Sequence, residues 1–265
     1  MTFFRSALSI GLFLLIACFC ASGITAEAPA DTAEMKVQEL HAGGDKQKHY
    51  FVIQHSADAP AEGWRLLFVL PGGSGDAQFH PFVTRIAKHA VPNNYLVVQL
   101  AAPVWTPEQA QNLVWPLDRK LAREIKFSTP EFFQAVRKEV SAKYKVDSRY
   151  LFTLTWSSSG PVGYALSLDP KSGVTGTFVA MSVFQPRNLP SLTAAKGHRY
   201  FIYHSAQDFI PITQAETARD SLQQAGAKVQ FQTYQGGHGW HGNIFGDIRS
   251  GIQWLEQEAG RASQR

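Results

Sequence analysis

Apolar residues in this chain fall into short runs at near-regular intervals, and the stretches between the runs carry helical spacing. Two strand-like runs, residues 36–40 and 48–54, flank Ala42-Gly43-Gly44-Asp45, which is a hairpin signal. Leu66-Leu67-Phe68-Val69-Leu70 is apolar without interruption, as a strand covered on both faces requires. After it, Phe82, Val83, Ile86, Ala87 and Ala90 recur at helical spacing, and residues 95–100 form another buried run. A helix over 130–144 presents Phe133, Val136 and Val140 on one face. Later strands are expected at 150–156, 174–180, 199–203 and 228–233, with helices at 213–225 and 243–259. This alternation predicts an α/β fold. Its mostly parallel central sheet has about eight strands, an N-terminal antiparallel hairpin, and helices on both faces. One domain over 35–260 is the simplest count for 265 residues.

The centre of the pattern is the stretch 150–164, which reads as strand, sharp turn, helix, with three serines at the turn. A serine that ends a strand where a helix starts at once is thrown clear of the backbone, and its neighbours must be small because strand and helix pass closely. Taking Ser157 as a nucleophile puts Thr155 and Ser159 at the cramped positions and leaves Gly160 for helix packing. Taking Ser158 would put the bulky Trp156 there, so Ser157 is the favoured register.

Three further segments could serve such a serine. Pro71-Gly72-Gly73-Ser74-Gly75-Asp76 lacks the ending of a phosphate-binding loop, but after a buried strand it can offer backbone N–H groups to an oxyanion. Gly73 is the first choice of donor, Ser74 the second, and the N–H of Ser158 the partner. Asp208 lies in a loop just beyond a strand, closed by Pro211. His238 stands among glycines in Gly236-Gly237-His238-Gly239-Trp240, with His241 as a competitor. Ser157, Asp208 and His238 each follow a strand, in an order that fits nucleophile, orienting acid and base.

With these residues in place, the chain from about residue 65 onward resembles the α/β-hydrolases of the phospholipase/carboxylesterase and polyhydroxybutyrate-depolymerase-like branch, which includes feruloyl and acetyl xylan esterases. The Gly236-Gly237-His238-Gly239-Trp240 segment resembles that branch's Gly-Gly-His-x-Trp, and the run from His204 to Pro211 resembles its acid loop, shortened by one residue. The resemblance implies Ser157 as nucleophile, Asp208 as acid and His238 as base, in acyl transfer from a small-molecule or polysaccharide-linked ester, with no cofactor and no metal. Two departures stand out: Pro71-Gly72 replaces the usual His-Gly before the oxyanion turn, and the serine turn lacks its flanking glycines. A binding protein on the same fold, and a peptidase or amidase, are the competing readings.

Charge and composition narrow the partners. The net charge is +4, with basic and acidic residues interleaved, so no block suits a nucleic acid. Residues 1–26 read as an export signal: Arg5 at the start, an apolar run over 7–17 too short to span a bilayer, then small residues. Release into the periplasm or medium follows from cleavage near residues 21–26. Alternatively, Leu15-Ile16-Ala17-Cys18 resembles a lipobox, which would lipidate Cys18 and anchor the protein to a membrane. Both cysteines, Cys18 and Cys20, lie in this segment, so the remaining chain has no thiol for a disulfide. The insert between the 95–100 strand and the 130–144 helix carries Trp105 and Trp115. These are expected, with Trp156 and Trp240, to line a substrate surface.

Overall fold

Eight strands satisfy their backbone groups in one another, and the sheet they make sets the position of everything else. The structure is a computed structural model that describes residues 30–55 and 58–262. The export-signal segment with Cys18 lies outside the described residues. In chain order the elements are β1 (Met35–His41), β2 (His49–His55), β3 (Trp64–Leu70), α1 (His80–Ala90), β4 (Tyr95–Leu100), α2 (Pro107–Asn112) and α3 (Thr129–Lys143). Then follow β5 (Val146–Trp156), α4 (Gly160–Ser167), β6 (Gly176–Ala180), β7 (Arg199–His204), α5 (Thr213–Gln224), β8 (Lys228–Thr233) and α6 (Ile244–Ala262). The sheet order is β1-β2-β4-β3-β5-β6-β7-β8. β1 pairs antiparallel with β2, and β2 antiparallel with β4, while every later pairing is parallel.

Helices cover both faces, as the continuous apolar strands require. On one face α1 and α6 pack Val83, Ile86, Ile248, Ile252 and Leu255 against Leu67, Val69, Phe152 and Phe178. On the other, α3 and α4 pack Phe132, Phe133, Val136, Val162 and Leu166 against Leu66, Phe68 and Leu151, and α5 covers Tyr200 and Ile202.

Local chemistry explains the helix starts and the differences from the expected bounds. α3 begins one residue earlier than predicted because Ser128 caps it. The Ser128 hydroxyl accepts from the Glu131 N–H at 3.3 Å, and the Glu131 carboxylate accepts from the Ser128 N–H at 2.7 Å. β5 begins at Val146 rather than Tyr150 because Val146 pairs with Trp64 before the register shifts to Leu66–Leu151. Because β3 and β5 to β8 run parallel and their connections cross behind the sheet, their C-terminal ends share one edge. The turns after β3, β5, β7 and β8 therefore meet there, which brings residues 71–76, 157, 208 and 238 together from four distant parts of the chain.

Candidate active site

β5 delivers Ser157 to that edge in a conformation few side chains adopt. Ser157 has φ +53°, in the left-handed region that disfavours residues with a Cβ, and a single 3-10 turn then leads into α4 at Gly160. Such strain, on the order of 1–2 kcal/mol, persists only where surrounding contacts enforce it. Here Ser159 and Ser182 supply them. The buried Ser159 hydroxyl accepts from the Trp156 N–H at 3.0 Å and lies 2.5 Å from the Leu70 carbonyl, to which it donates. The Ser182 hydroxyl donates to the carbonyl of Ser157 itself at 2.7 Å.

The Ser157 hydroxyl oxygen lies 2.9 Å from His238 Nε2, and His238 Nδ1 lies 2.9 and 2.8 Å from the two carboxylate oxygens of Asp208. An ionised carboxylate only accepts, so Nδ1 must carry the proton, and Nε2 of the neutral ring is then free to accept from Ser157. The Asp208 side chain is shut off from solvent and the His238 side chain is partly open to it. The two loops that present them are tied together. The Gly236 N–H donates to Gln207 Oε1 at 2.8 Å, and the Ser205 hydroxyl donates to the Gly236 carbonyl. His204 Nε2 donates to the Ile210 carbonyl at 2.9 Å, which fixes the return of the acid loop. His241 lies elsewhere, stacked on Tyr234 at 6.1 Å. Among the described residues no group of three or more histidines, cysteines or acids could hold a metal ion.

The glycine turn after β3 sits beside Ser157, with Gly73 at φ +58°. Gly73 and Ser158 are linked directly: the Ser158 hydroxyl donates to the Gly73 carbonyl at 2.8 Å. The sequence reading gave Ser158 a role through its backbone alone, so this side-chain latch was missed. The N–H of Ser158 belongs to the first turn of a helical segment, where N–H groups have no acceptor within the helix.

Of the four tryptophans expected on a substrate surface, Trp115 and Trp156 are buried, while Trp105 and Trp240 are half-buried. Trp115 is 4% exposed; its indole Nε1 donates to the Pro71 carbonyl at 3.0 Å, and its ring fills the space where a Cβ on Gly75 would stand, 2.6 Å from the nearest ring carbon. Trp156 is 5% exposed and packs edge-on against Phe79, Phe82 and Trp240 at 5.7 to 6.1 Å. Trp240, half-buried, also stacks on Tyr203, and Trp105 packs edge-on against Phe127 at 5.0 Å. Large apolar rings gain more from burial than from facing water, and here Trp156 and Trp115 take the space left open by Gly72 and Gly75 in the glycine turn. The aromatic side chain that does face solvent beside His238 is Phe209, 77% exposed, with its ring centroid 4.4 Å from that of His238. Its position immediately after Asp208 was the available signal.

By sequence, no family model and no curated protein matches the chain. The fold has many solved counterparts. An esterase of Rhizomucor miehei superposes with a TM-score of 0.63 over 86% of this chain and 84% of that one, at 11% identity. A carboxylesterase of Bacillus cereus gives 0.58 over 85% and 95%, at 14% identity. The S-formylglutathione hydrolase of Staphylococcus aureus gives 0.59 over 85% and 96%, at 15% identity. The chain has the α/β-hydrolase fold, and the neighbours that share it are esterases and other hydrolases.

Proposed function

We propose that this protein is an exported serine hydrolase that cleaves carboxylic esters through an acyl-enzyme. The observation that carries the reading is the continuous chain from Ser157 Oγ to His238 Nε2 at 2.9 Å and from His238 Nδ1 to Asp208 at 2.8 Å. His238 takes the Ser157 proton as Oγ attacks the ester carbonyl, which makes the carbonyl carbon tetrahedral. Asp208 holds the imidazole tautomer and stabilises the imidazolium. The N–H groups of Gly73 and Ser158 receive the developing oxyanion. When the tetrahedral intermediate collapses, the bond to the leaving oxygen breaks and His238 Nε2 gives that oxygen the proton. Water, deprotonated by the same imidazole, then releases the acid and restores Ser157. The chemistry is complete without a cofactor or metal. A small-molecule or polysaccharide-linked ester is the substrate class, and the esterase neighbours add support.

Labelling with a fluorophosphonate tests the reading, because only an activated serine reacts. The modified peptide should contain Ser157, and a folded protein that takes up no label would sink the proposal. A panel of esters against amides then separates esterase from amidase action. Export is tested by sequencing the mature N-terminus. A lipidated Cys18 predicts recovery in the membrane fraction and release by Cys18→Ser, whereas soluble export predicts no change in partition.

A further inference from the structure

We propose that Phe209 is a specificity-determining residue on the leaving-group side of the site, and that it selects esters of apolar, ring-bearing alcohols. The inference rests on the serine-hydrolase reading of Ser157. Among the described residues Phe209 is the most exposed of the large apolar side chains that face solvent, at 77%, ahead of Leu121 at 57%, Val104 at 52% and Val37 at 41%. A phenyl ring left in water forgoes the gain of burial, and this one stands against the His238 imidazole, where a bound substrate can cover it.

The exposure does not come from a loose loop. Asp208 before it is bonded to His238, the Ile210 N–H after it donates to Asp208 Oδ1 at 2.8 Å, and the Ile210 carbonyl accepts from His204. Phe209 is thus held between two anchored residues, with its ring inclined at 43° to the imidazole. His238 Nε2 hands the proton to the leaving oxygen, so that oxygen must come within hydrogen-bond reach of the imidazole. The first carbons of the alcohol are then carried along the ring that Phe209 flanks. The acyl carbonyl is oriented toward Gly73 and Ser158 instead. An aromatic contact of this kind is worth roughly two- to tenfold in binding.

The timing of bond breaking supplies the test. In acylation the Ser157 Oγ–carbon bond forms and the carbon–oxygen bond to the alcohol breaks, with the proton passing from Ser157 through His238 to the alcohol. The alcohol then leaves, so a residue that touches it acts before deacylation and not during it. Benzyl and ethyl acetate share one acyl-enzyme and differ in the alcohol. In Phe209→Ala the benzyl-to-ethyl ratio of kcat/KM should fall roughly two- to tenfold, while the deacylation rate constant of the acetyl-enzyme, read after a 4-nitrophenyl acetate burst, should hold. Phe209→Leu, which keeps apolar bulk without the ring, should lie between. Fluorophosphonate labelling of both variants checks that the triad is intact. An unchanged ratio with labelling retained overturns the role of Phe209 alone, as does a loss that follows acyl chain length or appears equally in deacylation. If wild-type protein takes no label at Ser157, the serine-hydrolase reading itself fails and the inference goes with it.

Discussion

Thr155 on β5 and Gly163 on α4 face each other so closely that a Cβ on residue 163 would stand 2.4 Å from the Thr155 hydroxyl oxygen. The serine turn therefore keeps its tight strand-to-helix approach although the strand side carries a threonine, because the missing side chain has moved to the helix side. Gly163→Ala should overpack this contact and cost about 1–3 kcal/mol, a fall in Tm of several degrees for a domain of this size. In a Thr155→Ala background the nearest remaining atom of residue 155 is its Cβ at 3.3 Å, still a tight contact, and the same glycine change should cost clearly less than in the wild type. Thermal unfolding of the two singles and the double measures the coupling. Additive effects would remove the compensation from the account.

Trp115 braces the glycine turn rather than the substrate. Trp115→Phe keeps a ring near Gly75 but deletes the bond from Nε1 to the Pro71 carbonyl. We expect kcat to fall by up to about tenfold, as for loss of one positioning hydrogen bond, with the ranking among acetyl, butyryl and aromatic esters preserved. A changed ranking would return Trp115 to the substrate surface.

The proposed triad predicts strong non-additivity. Ser157→Ala and His238→Ala should each lower ester hydrolysis by about 10⁴-fold or more, and the double variant should lose little beyond either single. Asp208→Asn can offer its amide N–H to Nδ1, which stabilises the tautomer with the proton on Nε2 and blocks the Ser157 proton transfer. A loss on the order of 10⁴-fold is expected there too. Steady-state rates on one ester decide all four.

Acid should unfold this protein partly through His198, far from Ser157. His198 immediately precedes β7, with its Nε2 3.0 Å from the Thr177 hydroxyl, and burial, followed by the charge of Arg199, pushes its pKa down to about 3. The unfolded chain takes up a proton near the ordinary histidine pKa of about 6.5 and the folded chain does not. The stability is therefore fully present above that value and is lost progressively as pH falls toward about 3, by on the order of a few kcal/mol. His198→Gln keeps a polar partner for Thr177 and cannot titrate. Between pH 7 and pH 4.5 its unfolding free energy should fall less steeply than that of the wild type; parallel slopes would exclude His198.

How far the sequence reached follows from the range of the forces involved. The uninterrupted apolar run 66–70 and the helical spacing of Phe133, Val136 and Val140 are local patterns, and local patterns state which faces must be buried. The strands, the helices and the antiparallel opening were legible for that reason. Parallel strands with crossing connections also oblige the turns after β5, β7 and β8 to share an edge, so the proximity of Ser157, Asp208 and His238 could be reasoned from order alone. What the sequence could not state was which atoms meet across the chain. Trp115 is as apolar on a substrate surface as in a core, and only packing against Pro71 and Gly75 assigns it to the core. Ser158 reads as one hydroxyl among three until the turn after β3 brings the Gly73 carbonyl to it. Gly163 has no visible partner until Thr155 fills its space, and Phe209 is one more loop residue until its neighbours are anchored and its ring alone is left facing water. Composition and periodicity determined the architecture of this chain, because burial depends on pattern. Tertiary contact decided the site's supports, because hydrogen bonds and close packing depend on distances that no spacing along the sequence contains.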